Sequence, residues 1–283
     1  MAGRRAIGRD VHFYNFAEPD KALGGLILNP SVTKKNFLSM LGILIVASGP
    51  TGHDLTPTDE PVQPGHYDIR PYSCKDTISI TGEPWIMRII SQSSTGIENT
   101  FRTEIRKRDG KCVITGTSSF HAAHIFPLSS DYYWLQSGFS RWITNRIGER
   151  DTGINSCQNG LLMRSHMHEQ FDGFYFSINP DDGYKITCFD EVFDRIDGRI
   201  LDPVCRDPSD NRRIRDELLR WHFRQAVLAN MSGVGEPTFE TDFPPGTDMM
   251  GEILSGSTAA KRMEAELFSR LGGYSPPGSL KSL

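Results

Sequence analysis

Apolar and polar residues alternate over Val11 to Phe16, and short runs rich in β-formers follow at Gly25 to Leu28, Tyr67 to Arg70 and Thr77 to Thr81. This period of two predicts strands, whereas the longer apolar run near Lys34 to Val46 predicts a buried helix. Between them, Gly49 to Gly65 is rich in Pro, Gly and Asp and reads as a loop. Glu98 to Lys107 predicts a second helix. The segment from Asn159 to Asp172 opens on an Asn-Gly pair and continues as a loop entering a short helix. Phe174 to Ile178 and Tyr184 to Phe189 predict a hairpin turning at Asn179-Pro180-Asp181-Asp182-Gly183. Beyond Asp190 the pattern turns helical. Asp210 to Ala229 carries apolar residues at helical spacing, and Ser257 to Leu271 runs from a Ser/Thr cap to Gly272-Gly273, with Phe243-Pro244-Pro245-Gly246 as a stiff connector between them. The order of elements predicts an α+β protein.

The chemistry concentrates between Cys112 and Asp172. His124 lies in the apolar, strand-like run His121-Ala122-Ala123-His124-Ile125-Phe126-Pro127, which Pro127 ends. A histidine held there can accept a proton from water and serve as a general base. A satisfied core histidine is the other reading. Further on, His168 and Asp172 lie four residues apart and share a helix face. Imidazole with carboxylate is a ligand pair for one divalent ion, whether zinc, manganese, nickel, or magnesium with water completing its shell. Such an ion polarises a phosphate beside a base. Capping or a salt bridge is the alternative role for Asp172. His166 is two residues from His168 and points to another face, and His121 is offset by three from His124 and so faces the other way in a regular strand.

Arg106-Lys107-Arg108-Asp109-Gly110-Lys111-Cys112-Val113-Ile114-Thr115-Gly116, Ala122-Ala123-His124-Ile125-Phe126-Pro127, Asn159-Gly160-Leu161-Leu162 and His168-Glu169-Gln170-Phe171-Asp172 together resemble the HNH endonuclease domain in the form common in fungal proteins. The resemblance covers roughly the middle third of the chain in its chemistry-bearing motifs. It implies a ββα-metal finger over 96–190, set between a small α+β region at 1–95 and a helical region at 191–283. It further implies His124 as the general base, Asn159 as the structural asparagine of the site, His168 as the helix metal ligand and Asp172 as a second ligand. Many members carry a metal ligand immediately before the base, where this chain has Ala123. Histidines stand at 121 and 166 where acidic residues are usual, which makes both candidate substitute ligands. Cys112 has no cysteine three residues later, so a structural zinc knuckle is not expected.

Charge adds one condition. The net charge is −4 and the pI near 6.1, whereas nucleic-acid binders usually present a basic surface. A phosphate track must therefore be local. Arg106, Arg108, Arg141, Arg146 and Arg164 are its candidates, with solvated faces as the competing explanation. An insertion separates the run ending at Pro127 from Asn159, and its Tyr132, Tyr133, Trp134, Phe139 and Trp142 suit base stacking, a pocket for a small organic ligand, or core packing. The expected partner is nucleic acid, DNA before RNA. A repurposed scaffold that binds or transforms a small organic molecule is the alternative. Five scattered cysteines fit a reducing compartment better than a disulfide framework. Met1 to Asp10 lacks the apolar run of a secretory signal, and Phe37 to Ala47 is too short to span a bilayer. Cytoplasm or nucleus, without a membrane partner, is the expected location.

Overall fold

A computed structural model describes residues 5, 8–49, 51–52, 55–71, 73, 75–83, 85–86, 96–118, 121–146, 151–190, 195–233 and 246–255. In chain order the strands are β1 (Val11–Asn15), β2 (Glu18–Leu26), β3 (Ile45–Ala47), β4 (Thr51–Gly52), β5 (Gly65–Pro71), β6 (Ile78–Ile80), β7 (His121–His124), β8 (Gly160–Met163), β9 (Phe176–Asn179) and β10 (Lys185–Cys188). The helices are α1 (Lys34–Leu44), α2 (Gly96–Asp109), α3 (Asp131–Gln136), α4 (Ser165–Asp172), α5 (Asp216–Met231) and α6 (Met249–Ser255). The class is α+β, as the order of sequence patterns requires.

The alternation over Val11 to Asn15 places Val11 and Phe13 in the core and His12 and Tyr14 outside. β1 is the hinge of a four-stranded sheet ordered β2-β1-β5-β4, antiparallel to β2 and parallel to β5. Two strand residues, Thr51 and Gly52, fall inside the expected loop because they pair with Arg70 and Pro71 of β5. Helix α1 starts where Thr33 caps it, its side chain accepting from the Asn36 N–H at 3.2 Å. The helix stops at Leu44 rather than Val46 because Ile45 to Ala47 are drawn into a ladder with β6. The expected hairpin is present with shorter strands, β9 pairing β10 across the Asn179 to Gly183 turn.

Helix α5 begins at Asp216, six residues later than the pattern expected, because Asp210 ties back Arg212 and the following turn instead of opening a helix. It serves two cores. Its first half gives Leu218, Leu219 and Trp221 to the cluster around β7, β8 and β9, and its second half gives Phe223, Ala226, Val227 and Met231 to the cluster under the N-terminal sheet. Each such buried side chain contributes about 1.5–3 kcal/mol of hydrophobic stabilisation, so the sheet and the middle region share one helix as common ballast. Polar links reinforce the seam: the Asn36 amide donates to Asp182 at 2.9 Å, Ser31 donates to Asp197 at 2.7 Å, and Arg9 donates to the Gly233 carbonyl at 2.7 Å. The Arg9 guanidinium is pushed down to about 10 by burial and by its neighbour Arg5. The expected helix Ser257 to Leu271 and the connector residues Phe243 to Pro245 lie outside the described residues. Among the described residues, no helix is long and apolar enough to cross a membrane.

Candidate active site

β7 and β8 form an antiparallel pair in unbroken register: His121 faces Met163, Ala122 faces Leu162, Ala123 faces Leu161 and His124 faces Gly160. Because side chains alternate across a strand, the pair has two distinct faces. Ala123, Leu161 and Met163 pack in one cluster with Met167 and Phe171, so helix α4 covers that face. Ala122 and Leu162 pack with Phe101 and Ile105, so helix α2 covers the other. His124 belongs to the α2 face. Its ring stacks on Phe101 with centroids 3.9 Å apart and planes 6° from parallel. Its Nε2 lies 3.2 Å from Oδ1 of Asn155.

The glycine after Asn159 is required by this packing. A Cβ at Gly160 would lie 2.3 Å from Cδ1 of Ile105 and 2.6 Å from Cζ of Phe101, so only glycine lets α2 approach the strand opposite His124. Asn159 is fully buried and uses both ends of its amide. Its Oδ1 accepts from the Phe126 N–H at 2.8 Å, and its Nδ2 donates to the carbonyls of Phe126 at 3.0 Å and Ile154 at 2.8 Å. One asparagine thus joins the segment just beyond His124 to the segment just before Asn155. Its position is structural, and the insertion between the strands closes on it.

Arg108 requires a correction. It was a candidate phosphate contact, yet its side chain is buried and its donors are spent inside the fold. It donates to Asp109 at 2.6 Å and 3.0 Å and to the carbonyls of Cys157, Arg212 and Gly160 at 2.7, 2.8 and 2.7 Å. Asp109 in turn accepts from the Leu162 N–H at 2.8 Å. Burial alone would discourage charge on the guanidinium, but Asp109 outweighs it and Arg108 is held charged. Burial raises the Asp109 carboxyl above its ordinary range, only partly offset by Arg108 and the Leu162 amide. The pair is a clamp that fixes β8 against α2. Nothing in the run Arg106-Lys107-Arg108-Asp109 distinguishes the buried arginine from its exposed neighbours.

Within helix α4, His168 Nε2 and Asp172 Oδ2 meet at 3.1 Å, both partly shielded from solvent. Donor atoms on adjacent corners of an octahedral shell with bonds near 2.1 Å sit about 3 Å apart, so the pair fits two adjacent positions of a divalent ion's shell. The rest of that shell must come elsewhere. Ala123, the residue before His124, projects toward α4 and is packed with apolar neighbours. His121 is exposed at the far end of β7, and the unbroken register keeps it on the face of Ala123, with no bulge to turn it toward His124. His166 lies inside α4, which starts at Ser165, and is therefore about 200° around the helix from His168. The helix start that His166 needed in order to join His168 is therefore not present. Among the described residues, no group of three or more His, Cys, Asp or Glu side chains is placed to hold a metal ion.

Arg106, Arg141 and Arg164 are exposed, with Arg141 lying over the Trp142 ring at 4.8 Å. Arg146 is exposed as well, but its guanidinium reaches the Ser140 carbonyl at 2.6 Å and caps the insertion loop. The insertion's aromatic residues divide in the same way. Trp134 and Phe139 join Phe126 and Trp221 in an aromatic core, and Trp134 Nε1 donates to the Thr152 carbonyl at 3.0 Å. Tyr132, Tyr133 and Trp142 are exposed. Sequence reasoning missed Phe101 and Asn155, the two side chains that grip His124. The only signal for Phe101 was its place on the predicted helix, and Asn155 had none.

Residues 112–179 match the family described as HNH endonuclease, and residues 8–74 match a domain of unknown function (DUF8573). The first match covers β7, β8, α4 and β9, and supports an HNH-family protein with a nuclease-type function. No curated protein and no solved structure matches the chain.

Proposed function

We propose that the protein is a metal-dependent HNH-type endonuclease that hydrolyses phosphodiester bonds of nucleic acid, DNA before RNA, with His124 as general base. The observation that carries this reading is His124 itself, a partly accessible histidine gripped on one face and one edge at the end of β7, beside the buried Asn159 turn. In this reading His124 removes a proton from water, and the hydroxide so formed attacks phosphorus. Asn159 keeps the strand end and the insertion in register. His168 and Asp172 are the residues that would hold one divalent ion, magnesium, manganese, nickel or zinc. Such an ion, when bound, neutralises charge developing on the phosphate oxygens. Arg106, Arg141, Arg146 and Arg164 provide the local positive charge that an acidic protein needs to meet a polyanion, with Arg146 the most committed to its own loop.

A second reading, a repurposed scaffold acting on or binding a small organic molecule, is favoured by Ala123, since an apolar methyl group stands where a ligand is common. A single experiment separates them. Purified protein is incubated with supercoiled plasmid and with a single-stranded oligonucleotide, with each of the four metals in turn. Cleavage by the wild type that disappears in a folded His124→Ala variant is the expected result. Absence of cleavage under all four metals, together with no DNA binding at low salt, would move the assignment to the small-molecule reading.

A further inference from the structure

Helix α4 carries both candidate ligands, and its last turn is held from outside. Asp172 is its final residue, and the chain then leaves by a Schellman turn. The Phe174 N–H donates to the Phe171 carbonyl at 3.1 Å and the Tyr175 N–H to the Gln170 carbonyl at 3.0 Å. Glycine usually takes the left-handed position of such a turn, because it has no Cβ to clash. Here Phe174 takes it, at φ 58°, with its side chain fully buried. A residue other than glycine persists in that conformation only when the surrounding contacts over-determine it. Two side chains from distant parts of the chain supply such contacts. Asn230 of α5 donates to the Phe174 carbonyl at 2.7 Å, and Arg5 donates to the Gly173 carbonyl at 2.6 Å.

We propose that Arg5 is a positioning residue for the metal pair: by gripping the end of α4 it fixes Asp172 beside His168, so that the N-terminal region sets how tightly the divalent ion is held. This rests on the reading of His168 and Asp172 as ligands. The Arg5 side chain is buried, and besides Gly173 it donates to Oδ1 of Asn230 and lies 4.7 Å from the centre of the Tyr175 ring. Gly173 is needed for this grip, since a Cβ there would come within 2.7 Å of the Tyr175 ring. A guanidinium at a helix C-terminus also complements the partial negative charge of the last carbonyls. Arg9 pins the backbone of Arg5. Its Nε donates to the Arg5 carbonyl at 3.1 Å, while its other nitrogens donate to the carbonyls of Asn230 and Gly233. Asn230 is locked to its own helix by a bond to the Ala226 carbonyl at 2.7 Å. The link is therefore continuous: the end of α5 holds Arg9 and Asn230, these hold Arg5, and Arg5 holds the carbonyl one residue beyond Asp172. Two protein donors hold an ion weakly, and affinity then depends on how little ordering remains to be done when it binds. A residue that orients a metal ligand usually changes metal affinity by about 10–100-fold when removed.

The test measures manganese binding to the full chain by electron paramagnetic resonance of the free ion, beside thermal unfolding and amide hydrogen exchange of the metal-free proteins. It compares wild type, Arg5→Met, Arg5→Lys and Ser31→Ala. Methionine keeps the bulk and removes the donors. Ser31→Ala cuts the same seam elsewhere, where Ser31 donates to Asp197. Arg5→Met is expected to raise the manganese dissociation constant by at least about tenfold and to speed exchange of the Phe174 and Tyr175 amides. Arg5→Lys, which keeps the charge but cannot fork to Gly173 and Asn230 together, is expected to fall between the two and carries the comparison if methionine unfolds the protein. Ser31→Ala is expected to lower the unfolding temperature and leave the dissociation constant unchanged. A folded Arg5→Met protein, or in its absence an Arg5→Lys protein, that binds manganese as tightly as wild type would overturn the proposal and leave the metal pair in place. Equal weakening by Ser31→Ala would overturn it too, because general loosening would then account for the loss. No manganese bound by the wild type at millimolar metal removes the ligand reading and the proposal together. If manganese binds and Arg5→Met weakens it while the wild type cleaves no nucleic acid, the positioning role stands and the nuclease reading falls.

Discussion

The two faces of the β7–β8 pair are built to different standards. On the α2 face, His124 is fixed by the Phe101 ring, the Asn155 amide and a strand partner whose lack of a side chain is required by packing. Behind it, the Arg108–Asp109 clamp ties α2 to the carbonyl of Gly160 and the amide of Leu162. In α4, the candidate ligands His168 and Asp172 contact each other, while Ala123 of the strand packs among apolar side chains that include Met167 and Phe171. A proton acceptor must be rigid, because its pull depends on direction at hydrogen-bond range. A hard divalent ion accepts water and phosphate oxygens among its ligands, so two protein donors can serve at the cost of affinity. The difference suits the proposed reading, in which the base is preorganised and water and substrate oxygens complete the ion's shell.

The largest effect should come from breaking the rigid side at its centre. His124→Ala is expected to reduce cleavage by about 100–10,000-fold with the fold intact, measured as single-turnover rate beside circular dichroism. A folded variant that cleaves at the wild-type rate would remove His124 from the role of base. Next is the clamp. Arg108→Met leaves Asp109 buried without its counter-charge, and such a cut costs about 3–5 kcal/mol, to be read from urea unfolding. A loss below about 1 kcal/mol would mean that the interior tolerates Asp109 alone, by protonation or by rearrangement.

The flexible side should respond in metal concentration before it responds in stability. His168→Ala or Asp172→Ala is expected to raise the manganese concentration that gives half-maximal cleavage by at least about tenfold, with unfolding little changed. Equal metal dependence in variants and wild type would detach these two residues from the ion. The smallest effect distinguishes neighbouring arginines. Neutralising Arg106, which is exposed, should lower the slope of log affinity against log salt for duplex DNA by about 0.9, whereas a folded Arg108 variant should leave the slope unchanged. The reverse result would contradict the burial of Arg108.

Much of this could be read from the chain alone. Strand alternation over Val11 to Asn15, the capped helix after Thr33 and the Asn179 to Gly183 turn are local patterns, in which each residue's own conformational preference and burial need agree. The motif order from His124 through Asn159 to His168 was legible for the same reason, since residue type and spacing carry that chemistry. The pairing of His168 with Asp172 followed from helical spacing alone. What the sequence could not decide are choices made by distant partners. Arg108 is buried while Arg106 is exposed because three carbonyls from the 157–160 and 212 segments converge where Arg108 points. Trp134 is core and Trp142 surface because Phe126 and Trp221 stack beside the first. His121 and His124, similar in sequence context, are divided by the pleat into opposite faces, and only the docking of α2 on one of them set Phe101 and Asn155 around His124. A single chain determines which groups are present; the meeting of segments 20 to 100 residues apart determines which of them share a hydrogen bond, because that free energy exists only once the fold has closed the loops between them.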